Sequence, residues 1–338
     1  MRNEATLDEW KELYDVANKI KELKPWEYLY DMDIITMLLP GAEEPVYCSI
    51  MGKGGEFFGI GTYMGFDAMN NFYTMAKRDD IPDIQKIRFQ DDNVLMCHFG
   101  NREELTKEEL KLVKDLGLKF RGKNNWIYFH SFKKGYVPYL LDKEEVLFEM
   151  EVFKHLFEAL KDYVDGNVKV NFEKGNTLLR MYNKTKNLWT NQEAPILLPE
   201  PDYPQLVLQD ELLVERINRQ EANKSKIEVD IAYLTGAIRD EKYDVPVMER
   251  LCILAESTSG LIVDQDFIFP DDNEMEIIFG MTVNYILNYG KPDTIIVRDD
   301  YVLNLLDDLC KKAGIKLKVK GKLKAIDYFV ENFLRYRF

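Results

Sequence analysis

Histidine and cysteine are scarce in this chain, with three of the former and four of the latter in 338 residues. His98, His130 and His155 give triad chemistry little to draw on, and Cys48, Cys97, Cys252 and Cys310 are scattered with no Cys-x-x-Cys pair. That pattern excludes the usual zinc frameworks. A free cysteine behaves as a small hydrophobe, so all four thiols are expected to be reduced and buried. His98 lies in the apolar run VLMCHF and His155 in a long helical pattern, and both are expected to be structural. Apolar runs fall far short of the roughly 20 residues that a membrane helix needs. The opening MRNEATLDEWKELYDVANKI is charged throughout and has no apolar h-region, so no signal peptide is expected. Positive charge is also in deficit: the net charge of −14 argues against a nucleic-acid or anionic-membrane binder, whose affinity comes from Lys and Arg displacing counterions. These absences lead us to expect a cytoplasmic protein with no cofactor. Nor is there a nucleotide loop, because GIGTYMG has the wrong spacing and no Gly-Lys-Ser/Thr occurs. The glycines at 52, 54, 55, 59, 61 and 65 read as turns and close packing in a hairpin.

The chain does hold enough apolar residues, 46% with 12% aromatic, to offset chain entropy without disulfides or metal. Its length exceeds one ordinary core. QEAPILLPEPDYPQ carries Pro195, Pro199, Pro201 and Pro204, which forbid a helix or central strand there. The expectation is an α+β domain over 1–191, a Pro-rich linker over 192–205 and a mixed-sheet α/β domain over 206–338.

In the first domain, Trp10, Leu13, Tyr14, Ala17 and Ile20 recur at helical spacing between Leu7 and Leu23, and Pro25 closes that helix. Strands are expected in DIITMLLP, PVYCSIMG and EFFGIGTYM, near Ile87 and Val94, and in VKVNF and TLLRMY. A hairpin is expected over Trp126 to Leu141. Helices are expected over 67–77, from Thr106 and from Asp142, the last two opened by capping boxes. In the second domain, LVLQ, IEVDIAYL, RLCILAES, LIVDQDFIF, TIIVR and IKLKV read as strands. Residues 211–220, 274–289, 301–313 and 324–334 read as helices, and Gly290 and Gly314 mark helix ends.

From Ile227 to Glu331 the order of three strands, helix, strand, helix, strand, helix resembles the ribonuclease H-like core shared by integrases and transposases. The resemblance implies carboxylates holding divalent metal, Mg²⁺ or Mn²⁺, at Asp230 on the first strand, Asp299 or Asp300 after the fourth, and Glu331 in the last helix. Two metal ions about 4 Å apart need hard carboxylates converging from separate elements. Asp230, Asp299 and Glu331 would then be catalytic. The structural alternative makes Glu228 and Asp230 alternating solvent-face residues of a strand, Asp299 the cap of the following helix and Glu331 a residue of an exposed helix face. Residues 203–338 hold 18 Lys and Arg against 24 Asp and Glu, which does not favour nucleic acid. Lys311 to Lys324 contains seven lysines and no acid, and these could hold phosphate or guard an edge strand.

The pattern from Trp10 through PWEYLYDMDIITMLLP to YCSIMGKGGEFFGIGTYMG, with PDYPQLVLQDELL to the end, resembles a bacterial two-domain family of unknown function. The resemblance implies a two-part chain in the bacterial cytoplasm and carries over no site residues. With catalytic motifs missing and the first domain rich in aromatics, the leading expectation is a non-enzymatic binding or regulatory protein with a protein partner. The alternative is a divalent-metal-dependent nuclease or phosphoryl-transfer enzyme.

Overall fold

The computed structural model describes residues 2–90 and 93–337, with the backbone alone at Thr235, Tyr336 and Arg337. It divides into two compact units. Unit 1 holds residues up to 72, 90–133 and 138–200, and unit 2 holds 73–89, 134–137 and 201–338. The break after Glu200 falls inside the Pro-rich stretch, yet unit 2 also draws on two segments from far earlier in the chain.

The chain opens with α1 (Leu7–Leu23), whose N-terminus is closed by a Thr6/Glu9 capping box. There follow β1 (Ile35–Leu38), β2 (Val46–Met51), β3 (Gly59–Met64), α2 (Gly65–Lys77), β4 (Val94–Gly100), α3 (Lys107–Asp115) and β5 (Trp126–Phe132). Then come α4 (Lys143–Val164), β6 (Asn176–Asn183) and β7 (Leu188–Pro195). The two predicted capping boxes, Thr106/Glu109 and Asp142/Glu145, open α3 and α4. Among the described residues, unit 1 has a seven-stranded sheet ordered β5-β4-β3-β2-β1-β6-β7. It is antiparallel except where β1 runs beside β6. The apolar faces of α1 and α4 pack with Cys48, Ile60, Cys97 and Phe129 in one core.

Three expectations fail here. The segment around Ile87 is a 3-10 turn, Asp83–Phe89, and VKVNF forms no strand. The hairpin after Trp126 has one strand and a single bridge, Ser131 to Tyr139. A strand also occupies the start of the expected linker, because β7 runs to Pro195. It does so at the sheet edge, where a missing N–H is tolerated.

Unit 2 follows the expected order closely: α5 (Glu211–Asn218), β8 (Lys226–Ile238), β9 (Val247–Glu256), β10 (Ile262–Phe267), α6 (Glu274–Tyr289), β11 (Thr294–Val297), α7 (Asp300–Ala313), β12 (Lys316–Val319) and α8 (Lys324–Arg337). LVLQ alone forms no strand. Gly314 ends α7 at φ +68°, a left-handed position that suits glycine. The sheet order is β10-β9-β8-β11-β12. β9 is antiparallel to both neighbours, and β11 runs parallel to β8 and β12. Strand alternation splits the interior into two cores. Ile227, Val229, Ile231 and Tyr233 of β8 pack with α5, α6 and α7, whereas Ala232 and Leu234 pack with Leu323, Ile326 and Val330 of α8 and its approach. The result is a mixed α/β layer structure.

All four cysteines are free and buried, as expected. Unit 1 also buries a carboxyl. Glu149 of α4 is fully enclosed, accepts one bond from Thr62 Oγ1 at 3.0 Å, and has no hydrogen-bond partner on Oε2 among the described residues. Burial pushes its pKa up to about 8, only partly offset by Thr62. The folded state therefore keeps a proton that the unfolded chain releases near its ordinary value of 4.5. This group's effect costs stability increasingly as pH rises from that value to about 8 and is level above. Glu149→Gln removes the ionisation and keeps an acceptor for Thr62. We expect the variant to be more stable than the parent at pH 7 by about 3 kcal/mol, with the difference vanishing near pH 4, in urea unfolding followed across that range.

Candidate functional site

A buried charge is worth retaining only when other charges and hydrogen bonds compensate its lost hydration. Asp230, in the middle of β8, is completely buried. Its parity places it on the α8 side of the sheet with Glu228, Ala232 and Leu234. Two guanidiniums enclose it. Arg298 Nε donates to Oδ2 at 2.6 Å, and Arg88 donates from Nη1 to Oδ1 at 2.9 Å and from Nη2 to Oδ2 at 3.1 Å. Burial acts to raise the Asp230 pKa, but the positive charges, Arg298 first and then Arg88, outweigh it and hold the carboxyl below the usual range.

Each arginine arrives for a simple reason. Val297 of β11 pairs with Val229, so the next residue, Arg298, lies beside Asp230 on the same face. Arg298 is itself fully buried and also bonds Asp327 of α8 at 2.6 Å and the Gly321 carbonyl. Arg88 comes from the 3-10 turn. β11 ends at Val297 while β8 continues to Ile238, so the far half of β8 has no strand on that side. Side chains take the strand's place. Arg88 Nη2 donates to the Ile231 carbonyl at 2.8 Å, and the buried Gln85 amide both donates to the Tyr233 carbonyl and accepts from its N–H, each at 3.0 Å. Gln85 also accepts from Arg88 through Oε1 and through its own carbonyl, which fixes the guanidinium plane.

The predicted site residues separate. Asp230 and Asp299 do come together, because Arg88 Nη1 also donates to Asp299 Oδ2 at 2.8 Å. The other Asp299 oxygen caps α7 by accepting from Val302 N at 3.1 Å, as the structural alternative expects. Asp300 is exposed at the first position of α7. Glu331 is exposed on α8, and the helix residue that joins the network is Asp327, one turn earlier. Glu228 and Asp230 are not solvent-facing. Glu228 is buried, and its Oε2 accepts from Ala325 N at 2.9 Å and Ile326 N at 3.2 Å, satisfying two orphan donors at the start of α8. Its Oε1 accepts from Ser257.

The lysine-rich stretch divides likewise. β12 is an edge strand with Lys316 and Lys318 exposed and Leu317 and Val319 half-buried, the pattern of a guarded edge. The backbone N–H groups just after it are taken by carboxylates, Gly321 by Asp80 and Leu323 by Asp327. They are not open to phosphate.

Sequence reasoning missed Arg88, Gln85, Arg298 and Asp327. Ile81, Ile84 and Ile87 recur every three residues around the strand-incompatible Pro82, a 3-10 period that was open to reading. Arg298 continues the alternation of TIIVR onto the α8 side.

Neutralising Asp230 leaves Arg298 buried with half its compensation. We expect Asp230→Asn to lower unfolding stability by roughly 3–5 kcal/mol in urea titrations at pH 7. Because the folded carboxyl sits below its ordinary value, the parent's advantage over the variant should be full above the unfolded pKa of 3.8. It should be lost as pH falls through the lower folded value.

A search of curated proteins gave no match. Residues 213–334 match the family described as Domain of unknown function (DUF6930). Residues 10–180 match Domain of unknown function (DUF7309). Together the two matches span nearly the whole chain, in agreement with the two-part family resemblance, and the protein belongs to the family described as Domain of unknown function (DUF7309).

Proposed function

We propose that this is a non-enzymatic binding or regulatory protein of the bacterial cytoplasm, acting through a protein partner. We further propose that unit 2 is a ribonuclease H-like scaffold in which arginine stands where divalent metal would. The observation that carries this reading is the saturation of Asp230: both oxygens are held by guanidiniums at 2.6–3.1 Å with no exposure to solvent. A metal pair needs carboxylate lone pairs turned to a common point and no fixed cation beside it. Arg88 and Arg298 would repel an incoming Mg²⁺ or Mn²⁺ and already use the lone pairs it would need. Asp299 is committed to its helix cap and to Arg88, and Glu331 lies outside the network.

One observation favours a second reading, a divalent-metal-dependent nuclease or phosphoryl-transfer enzyme. Asp230 and Asp299 meet at the same nitrogen, Arg88 Nη1, so displacing that one side chain would leave two carboxylates facing each other. Calorimetric titration of Mn²⁺ at low salt separates the two. We expect no specific binding to the wild-type protein. Stoichiometric binding that disappears in a folded Asp299→Asn variant would establish the second reading in place of the first.

A further inference from the structure

Unit 1 has a second cluster of titratable groups, on the sheet face opposite Cys97 and Phe99. His98 of β4 pairs in register with Gly59 of β3 on one side and Tyr128 of β5 on the other, and His130 stands two residues further along β5 on the same face. The His98 ring stacks on Tyr128, with centroids 4.5 Å apart and planes within 8°, and meets His130 edge-on at 5.0 Å. Both neighbours are held from behind by carboxylates. Tyr128 donates to Glu104 at 3.0 Å, and His130 Nε2 lies 3.1 Å from Glu109, close enough for attraction though not aligned as a hydrogen bond. His98 is only 9% exposed, and neither ring nitrogen has a hydrogen-bond partner among the described residues. Burial first, and then the neighbouring His130, push its pKa down to about 3. The ring is therefore neutral and presents one donor and one acceptor.

Beside this ring the sheet has a bare floor. A Cβ at Gly59 would lie 3.0 Å from the Cys97 carbonyl oxygen and 3.0 Å from the ring of Phe57, so the Phe57 ring rests on the glycine. Phe57 is 46% exposed, meets His98 edge-on at 5.6 Å, and follows the glycine-rich turn 52–55 between β2 and β3. A hydrocarbon ring half in solvent over a side-chain-free floor offers neither imidazole nitrogen a hydrogen bond.

We propose that this is a binding site for a planar heteroaromatic molecule of nucleobase size, which displaces the Phe57 ring from the Gly59 floor and hydrogen-bonds through its edge to His98. Stacking on Tyr128, which Glu104 holds, and the edge contact with His130 set the imidazole plane, and the half-exposed Phe57 ring is what the ligand would replace. The inference stands on unit 1 alone and does not depend on how the Asp230 network is read.

The test follows the His98 side-chain resonances by NMR in the full chain while adenine, cytosine and uracil are added to millimolar concentration, with toluene as a flat probe lacking edge donors and acceptors. At least one base should shift these resonances. It should bind about tenfold more tightly to Phe57→Ala, from which the competing ring is gone. In the His98 variants binding is followed through the Tyr128 ring resonances instead; it should survive in His98→Gln, which keeps a donor and an acceptor, and be lost in His98→Leu. Three results would overturn the proposal: no base perturbing His98 even in Phe57→Ala, toluene binding that variant as tightly as the bases do, or equal base binding in His98→Leu and His98→Gln.

Discussion

The enclosure of Asp230 by two guanidiniums is the constraint around which unit 2 is arranged. A carboxylate at the centre of a sheet, wholly out of water, is tolerated only with cations at hand. Meeting that requirement recruits the end of β11 through Arg298, α8 through Asp327, α7 through Asp299, and the 3-10 turn through Arg88. Glu228, two residues before, ties the first turn of α8 to the same strand. Two acidic residues on one face of β8 thus set where four other elements must lie. Replacing a buried ion pair by well-packed apolar groups is often neutral or stabilising, whereas removing one partner alone is strongly destabilising because it leaves a naked charge.

The same logic runs in unit 1 with a different solution. Among the described residues Glu149 has no cation beside it and a single hydroxyl as donor, and it is accommodated by keeping its proton. His98 is accommodated by losing its own. Asp230 is thus neutralised by pairing and the two unit 1 groups by protonation state; rising pH works against Glu149, whereas falling pH works against both Asp230 and His98.

Much of this was legible in the sequence. Amphipathic spacing located α1, α4 and α6, and capping boxes located the starts of α3 and α4, because helix signals are local. The strand order of β8 to β12 was readable because each strand is a short apolar run between turn residues. What could not be read was long-range. Nothing local to Asp230 indicates that its partner is residue 88, and an Ile-containing segment before Val94 looked like a strand until its three-residue period was set beside its 3-10 geometry. Asp299 showed both of its roles in outline, as cap and as neighbour of Asp230. Glu331 and Asp327 lie on the same helix, and only the position of Arg298 singles out Asp327 as the residue that joins the network.

Unit 2 is not contiguous: its arginine at 88 precedes its carboxylate at 230 by the whole of β4 through β7. During synthesis at about 5–20 residues per second, that guanidinium waits on the order of ten seconds before Asp230 has been made, and longer for Asp299. Until then the 83–89 segment has no strand edge to occupy, so the last-made part of the chain decides when one of its earlier parts can settle. A fragment beginning at Pro201 would carry the carboxylate without one of its two counter-charges.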